Sequence, residues 1–340
     1  MKYHERGFIE ILERILVQLL TTCPLELTSS AASCLCVIVD RISRRYSILI
    51  KILGSCVLKL RQVRDAILHY SITEKTFTGA LKMLLLCGLL CQHFEFDKRR
   101  QEEPEAMSGL NTVYRGSIGT LVFDLLHFFA GDERMNELGE QGMTIRLTAL
   151  QALGYFYCSY PTFIISNTST ELMDKIFNQG TNAMKTQLMR VFQEFLSAED
   201  KRIEKRQHEE EEKEEIINLD ILLGNTEEYA ELGVNGSLMQ RYLPKILECT
   251  LNKTSGLLYA AFEVVSSVIH RGLAHPVLCM PVIIAAETSP DVLLRTKAYY
   301  THKYAHDKYG VLLYMQMSEY ISTSFQYQKL LFGSNVKGKE

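Results

Sequence analysis

Seven cations stand between positions 41 and 64 with no acid among them: Arg41, Arg44, Arg45, Lys51, Lys59, Arg61 and Arg64. Cations gathered this way neutralise phosphates, and the counterions they release supply affinity without reading sequence. Arg41, Arg44 and Arg45 are expected on one face of a helix over 27–43. The other four fall on the next helix, over 46–69, which a short turn at Tyr46 brings alongside. No aromatic and glycine signature of RNA recognition goes with them, so duplex DNA is the expected ligand. The plainer alternative is a solvated basic face balanced by acids elsewhere.

Other chemistry is sparse. His302 and His306 are one helical turn apart, a spacing that can hold zinc. No third ligand is evident, and Lys297, Lys303 and Lys308 flank the pair, so an exposed basic face is expected. Cys87 and Cys91 share that spacing among leucines and read as buried packing. His93 reads as a cap or packing residue, and Tyr299, Tyr300 and Tyr304 as the apolar side of their helix. Gly333, Gly338 and Lys339 imitate a phosphate-binding loop. Glu340 stands where a Ser or Thr is needed, and no strand leads in. There is no zinc-protease, nucleophile-elbow or dinucleotide-binding motif. No enzyme activity, cofactor or metal is expected.

The elements that must carry these residues read as helices throughout. The chain has 340 residues, 47% apolar and 23% charged, with only 7 Pro, 20 Gly and no Trp, which disfavours an all-β fold. Phe8, Ile11, Leu12, Ile15, Leu16 and Leu19 form one stripe of an amphipathic helix ended by Pro24. Further helices are expected over 76–95, 115–130, 142–158, 168–178, 181–216, 237–252, 254–271, 273–287, 290–309 and 311–328. Short turns between them make units the size of a HEAT or armadillo repeat. Met143-Thr-Ile-Arg146-Leu-Thr-Ala149 and Val292-Leu-Leu-Arg295-Thr-Lys-Ala298 echo one another; the apolar residue and Ala should pack inward while Arg ladders to neighbours. The fold class is all-α, a HEAT-repeat α-solenoid, curved or hook-shaped.

Two stretches break the pattern. Residues 98–111 are polar and read as a surface loop. Residues 199–215 hold nine acids and five bases and read as a projecting, solvated helical extension, with an acidic arm for a basic partner as the alternative. The expected organisation is a repeat segment over 1–217, a link over 218–236 and further repeats over 237–340.

Charge and cysteine usage bound the setting. Net charge is −3, yet residues 1–100 hold 15 Lys and Arg against 9 Asp and Glu. Nine cysteines, an odd number and mostly within apolar runs, point to a reducing compartment. The sequons at Asn167, Asn235 and Asn252 read as chance, because no signal peptide is seen. The longest apolar runs, 83–91 and 276–286, are far too short to span a bilayer, so no membrane partner is expected. The chain opens inside a helical pattern, as a segment of something longer would.

Four blocks resemble the Nipped-B/adherin family, the large subunit of the cohesin loader. They are Ala32-Ser-Cys34-Leu-Cys36-Val-Ile-Val-Asp40, Leu90-Cys91-Gln-His93-Phe94-Glu-Phe96-Asp97, Arg146-Leu-Thr-Ala-Leu-Gln-Ala-Leu-Gly154-Tyr, and Gly272-Leu-Ala-His275-Pro276-Val-Leu-Cys279-Met-Pro281. Ser237 to Leu243 and Ala286 to Arg295 flank the last block and resemble the start of that family's sister chromatid cohesion C-terminal region. The resemblance implies a hook-shaped, non-enzymatic HEAT-repeat scaffold in the nucleus, on chromatin. It implies binding to duplex DNA and to cohesin, through cohesin's ATPase heads and kleisin. It also implies stimulation of cohesin's ATPase and loading of cohesin onto chromatin. The small loader subunit binds the family's far N-terminal region, which this chain lacks. No individual contact residue carries over. A protein-only scaffold for transport or trafficking, and a helical enzyme resting on His302 and His306, are the competing readings.

Overall fold

A helix that is apolar on every side has to be covered on every side, and 83–91 is such a stretch. In the computed structural model, which describes residues 2–72, 76–211, 226–310, 313 and 316–333, that stretch lies at the heart of its unit. The chain divides into two compact units, Met1–Phe163 and Ile164–Glu340. Both are helical, and no strand occurs among the described residues.

The first unit contains α1 (Lys2–Thr22), α2 (Leu25–Ile38), a π-turn (Val39–Ser43), α3 (Ser47–Leu68) and α4 (Ala80–His93). It continues with α5 (Phe96–Glu102), α6 (Leu110–Val113), α7 (Ile118–Gly131), α8 (Arg134–Glu137) and α9 (Gly139–Ser159). α4 packs against α2, α3, α7 and α9. Every residue from Leu84 to Cys91 is buried. α4 and α9 meet at Gly88, where an added Cβ would stand 2.4 Å from the Ala152 carbonyl oxygen.

Residues 98–102, expected in a loop, are the end of α5. The reason is that its polar side chains have partners. Asp97 accepts from the Ile118 and Gly119 amides at 2.9 Å and from the Ser117 hydroxyl at 2.8 Å, so it caps α7. Arg100 reaches back to Asp97 at 2.8 Å.

The second unit contains α10 (Asn167–Gln179), α11 (Asn182–Glu211), α12 (Thr226–Thr250) and α13 (Ser255–Arg271). Then follow α14 (Pro276–Glu287), α15 (Val292–Tyr309) and α16 (Met317–Phe332). α13 packs against α11, α12 and α15, and α14 against α15 and α16. Tyr242 of α12 stacks on Phe177 of α10 with ring centroids 5.5 Å apart. Residues 226–236, part of the expected link, therefore open a helix that is built into this core; residues 218–225 lie outside the described residues.

The expected charged arm also begins inside the fold. Glu199 is buried and pairs with Arg202 at 2.5 Å. Asp200 accepts from the Arg271 guanidinium, which ties α11 to α13. Residues 212–215 lie outside the described residues.

The Arg146/Arg295 echo has a physical basis different from a ladder. Arg146 donates to the Ala130 carbonyl at 3.1 Å, at the end of α7. Arg295 donates to the Ser289 carbonyl at 3.1 Å, just past α14. Each satisfies a carbonyl left over at or just past the end of an earlier helix. Ala149 and Ala298 pack inward as expected, but Val292 is exposed.

Candidate nucleic-acid interface

The cation-rich stretch begins where α2 fails to continue. After the π-turn, Arg44 adopts a left-handed backbone, φ 56°, and the helix stops. Arg41, Arg44 and Arg45 therefore do not share a helix face, contrary to expectation. Arg41 stands exposed on the π-turn, and the other two diverge.

Arg44 donates to the Tyr46 hydroxyl at 2.8 Å and pairs with Glu103 at 3.2 Å. The Tyr46 hydroxyl donates to the same Glu103 oxygen at 2.9 Å. Arg99 lies over the Tyr46 ring and pairs with Asp40, Glu102 and Glu103. Arg45 turns the other way, to Glu10 at 3.3 Å and Glu13 at 3.1 Å on α1. Glu13 is only 2% exposed, so Arg45 neutralises a carboxylate that has lost its water.

The remaining four cations lie on α3, as expected. At 100° per residue, Lys51 sits on the crest of its outer face, with Lys59 on one flank and Arg61 on the other. Arg61 lies 5.7 Å from the centre of the Tyr114 ring. Arg64 falls towards the packed side and pairs with Asp65 at 3.5 Å. Among the described residues, no carboxylate pairs with Arg41, Lys51, Lys59 or Arg61. Of the seven candidates, these four remain available to a phosphate.

One cation was missed by sequence reasoning. Arg14 of α1 is exposed and lines, with Lys51, a groove of about 290 Å³ between α1 and α3. The groove also contains the Arg45 pair with Glu10 and Glu13. No linear signal linked Arg14 to the cluster; the α1–α3 fold does so.

The other candidate residues have ordinary structural roles. His302 Nδ1 meets Glu287 at 2.9 Å, and that contact holds the imidazole pKa above its usual value. His306 instead faces Asp307 at 3.5 Å. No group of three metal-ligating side chains occurs among the described residues. Cys87 and Cys91 are buried in α4; a hydrogen bond with Cys56, and then burial, raises the Cys87 thiol, and burial raises that of Cys91. Burial also pushes Cys36 up to about 12. His93, in the last turn of α4, is half-buried and its pKa is lowered by desolvation. Tyr304 stacks on His270 at 4.2 Å, but Tyr299 and Tyr300, expected in the core, face outward. Residues 334–340, with the loop-like Gly338 and Lys339, lie outside the described residues. No helix among the described residues is long and apolar enough to cross a membrane.

Comparison with known proteins follows the sequence resemblance. Residues 235–340 match the family described as sister chromatid cohesion C-terminus. The chain is 24% identical over 350 residues to Nipped-B-like protein B of Danio rerio, which covers 98% of this chain and 11% of that protein. It is 24% identical over 346 residues to the Nipped-B-like protein of Homo sapiens, covering 97% of this chain and 11% of that protein. It is 23% identical to the sister chromatid cohesion protein mis4 of Schizosaccharomyces pombe, covering 93% of this chain and 19% of that protein. In structure it is similar to the C-terminal fragment of the Chaetomium thermophilum cohesin loader SCC2. That match has a TM-score of 0.74 and 19% identity, and covers 95% of this chain and 22% of the other. The fold is thus the helical, HEAT-like one of that fragment. The chain spans between a tenth and a fifth of the length of these relatives.

Proposed function

From its relationship to the Nipped-B proteins, we propose that this chain is a scaffold segment of a cohesin-loading protein that works in the nucleus, on chromatin. In this reading it carries no catalytic step. It holds duplex DNA on the outer side of α3 and contacts cohesin, in the heads and kleisin, through other helices. By positioning the two together it promotes loading and stimulates the ATPase that cohesin itself supplies.

The observation that supports the family reading most strongly is the extent of the likeness. It runs through 98% of the chain, across both compact units, where one shared helical repeat would match only locally. The DNA part is supported by Arg41, Lys51, Lys59 and Arg61, which keep their charge without a carboxylate partner among the described residues.

Duplex binding measured by fluorescence anisotropy tests it. Changing Lys51, Lys59 and Arg61 together to Glu should weaken binding more than tenfold on every sequence alike, because phosphate contacts position and do not read bases. Full retention of affinity would remove the α3 surface from the proposal. No measurable duplex affinity in the parent chain would favour the protein-only scaffold. Capture of cohesin's kleisin and head domains by the chain tests the other half.

A further inference from the structure

Three sulfur atoms converge where α4 packs against α3. Met83 and Cys87 stand four residues apart on α4, so their side chains lie on one side of it. Cys56 of α3 faces them. Its thiol donates to the Met83 thioether at 3.3 Å, and the Cys87 thiol is hydrogen-bonded to Cys56 in turn. Cys56 and Cys87 are each 1% exposed, whereas Met83 is partly exposed at the edge of the cluster. α4 is itself held by α2, α3, α7 and α9. The donors are therefore fixed in place before anything binds.

As hydrogen bonds these contacts contribute little, because a thiol is a weak donor and a thioether a weak acceptor. As electron-pair donors they are a matched set. Thiolate and thioether sulfurs are soft ligands, and soft ligands select copper(I). No three His, Cys, Asp or Glu side chains come together as metal ligands among the described residues. The third donor here is a methionine, which hard ions such as calcium and magnesium do not use.

We propose that Cys56, Met83 and Cys87 form a binding site for one soft monovalent metal ion, copper(I). The ion enters past Met83 and bonds to one cysteine sulfur, and the thiol proton it displaces passes to solvent. The Met83 thioether and the second cysteine sulfur complete three-coordination. One cation replaces one proton, so the buried site keeps its charge and no unpaired ion is left in the core. Zinc would have to displace both thiol protons. It would then find three donors where its structural sites have four, one of them a thioether. Metal–sulfur bonds of ~2.3 Å in a trigonal plane put the sulfurs ~4 Å apart, so Met83 has to withdraw by about 0.7 Å, which its flexible side chain allows. The site lies on the packed side of α3, turned away from Lys51 and Lys59, and it stands whether or not that surface binds DNA.

The test uses the whole chain, reduced and free of oxygen, with copper(I) delivered as its bicinchoninate complex, whose colour reports the copper withdrawn. One equivalent should pass to the parent chain. The melting temperature should rise with it, because the three donors come together only in the folded chain. Met83→Leu keeps the volume of the side chain and should fold, and it should weaken copper binding about tenfold or more. Cys56→Ala should abolish uptake. Changing Cys23 and Cys34, the two thiols nearest solvent, to Ser should leave uptake as it is. The proposal is overturned if the parent takes no copper from the chelator, or if the Cys23 and Cys34 variant loses the uptake. It is also overturned if Met83→Leu holds copper as tightly as the parent, whatever Cys56→Ala does, or if equimolar zinc displaces the copper.

Discussion

Glu194 of α11 is largely buried, in a turn with Phe192, Phe195 and Leu196, and desolvation pushes its carboxyl up to about 7. An unfolded glutamate titrates near ~4.3. Between those values the folded chain binds the extra proton, so stability falls as pH rises through that window. Above pH ~7 the loss is on the order of 3–4 kcal/mol. Glu194→Gln should therefore raise the melting temperature at pH ~8 by several degrees and change it little at pH ~3, where both states are protonated. Equal effects at both values would mean that the charge is already compensated. The same scale shows what the sequence concealed about the candidate site. The density of cations over 41–64 is plain in the linear order. Their partners are not: Glu10, Glu13 and Glu103 lie tens of residues away, and only packing brings them to Arg45 and Arg44. Asp40 was one position outside the acid-free window, and it pairs with Arg99.

At the scale of elements, period was legible and facing was not. The 3.6-residue repeat located α3, α9, α13 and α15 closely, because apolar side chains at that spacing have few other ways to be hidden. Which side is covered depends on the neighbours. In α1 the packed residues are Glu13, Leu16 and Leu20, while Phe8, Ile11, Ile15 and Leu19 of the predicted stripe are exposed. In α15 both sides are apolar, so the pattern alone could not rank them. The crossing of α4 and α9 depends on a position that no pattern marks. Gly88 lets the Ala152 carbonyl approach to where a Cβ would collide with backbone. Gly88→Ala gains helix propensity of ~1 kcal/mol, but it must push apart two buried helices, an overpacking cost of ~1–3 kcal/mol or more. A net loss of stability in urea unfolding is expected. A neutral or stabilised variant would show that α4 and α9 slide apart freely.

Across the molecule, the net charge of −3 understates how unevenly charge is presented. The basic first hundred residues donate some cations to their own fold and leave others to solvent, and duplex binding should distinguish the two groups. Among the described residues, no carboxylate pairs with Arg14, Arg41, Lys51, Lys59 or Arg61, and contact of all five with phosphates predicts a slope of log affinity against log salt of about −4.5. The exposed pairs of Arg44 and Arg64 are each worth ~0–1 kcal/mol and can open to a phosphate, which steepens the slope to about −6 at most. Arg45 is different, because leaving it would strand the buried carboxylate of Glu13 without its partner. Arg45→Gln should thus lower the melting temperature and leave the salt slope unchanged, whereas Lys51→Gln should reduce the slope by about 1 and leave stability alone. If Arg45→Gln flattens the slope as Lys51→Gln does, the ion pair with Glu13 opens on binding, and Arg45 joins Arg14 and Lys51 of the same groove in the contact with DNA.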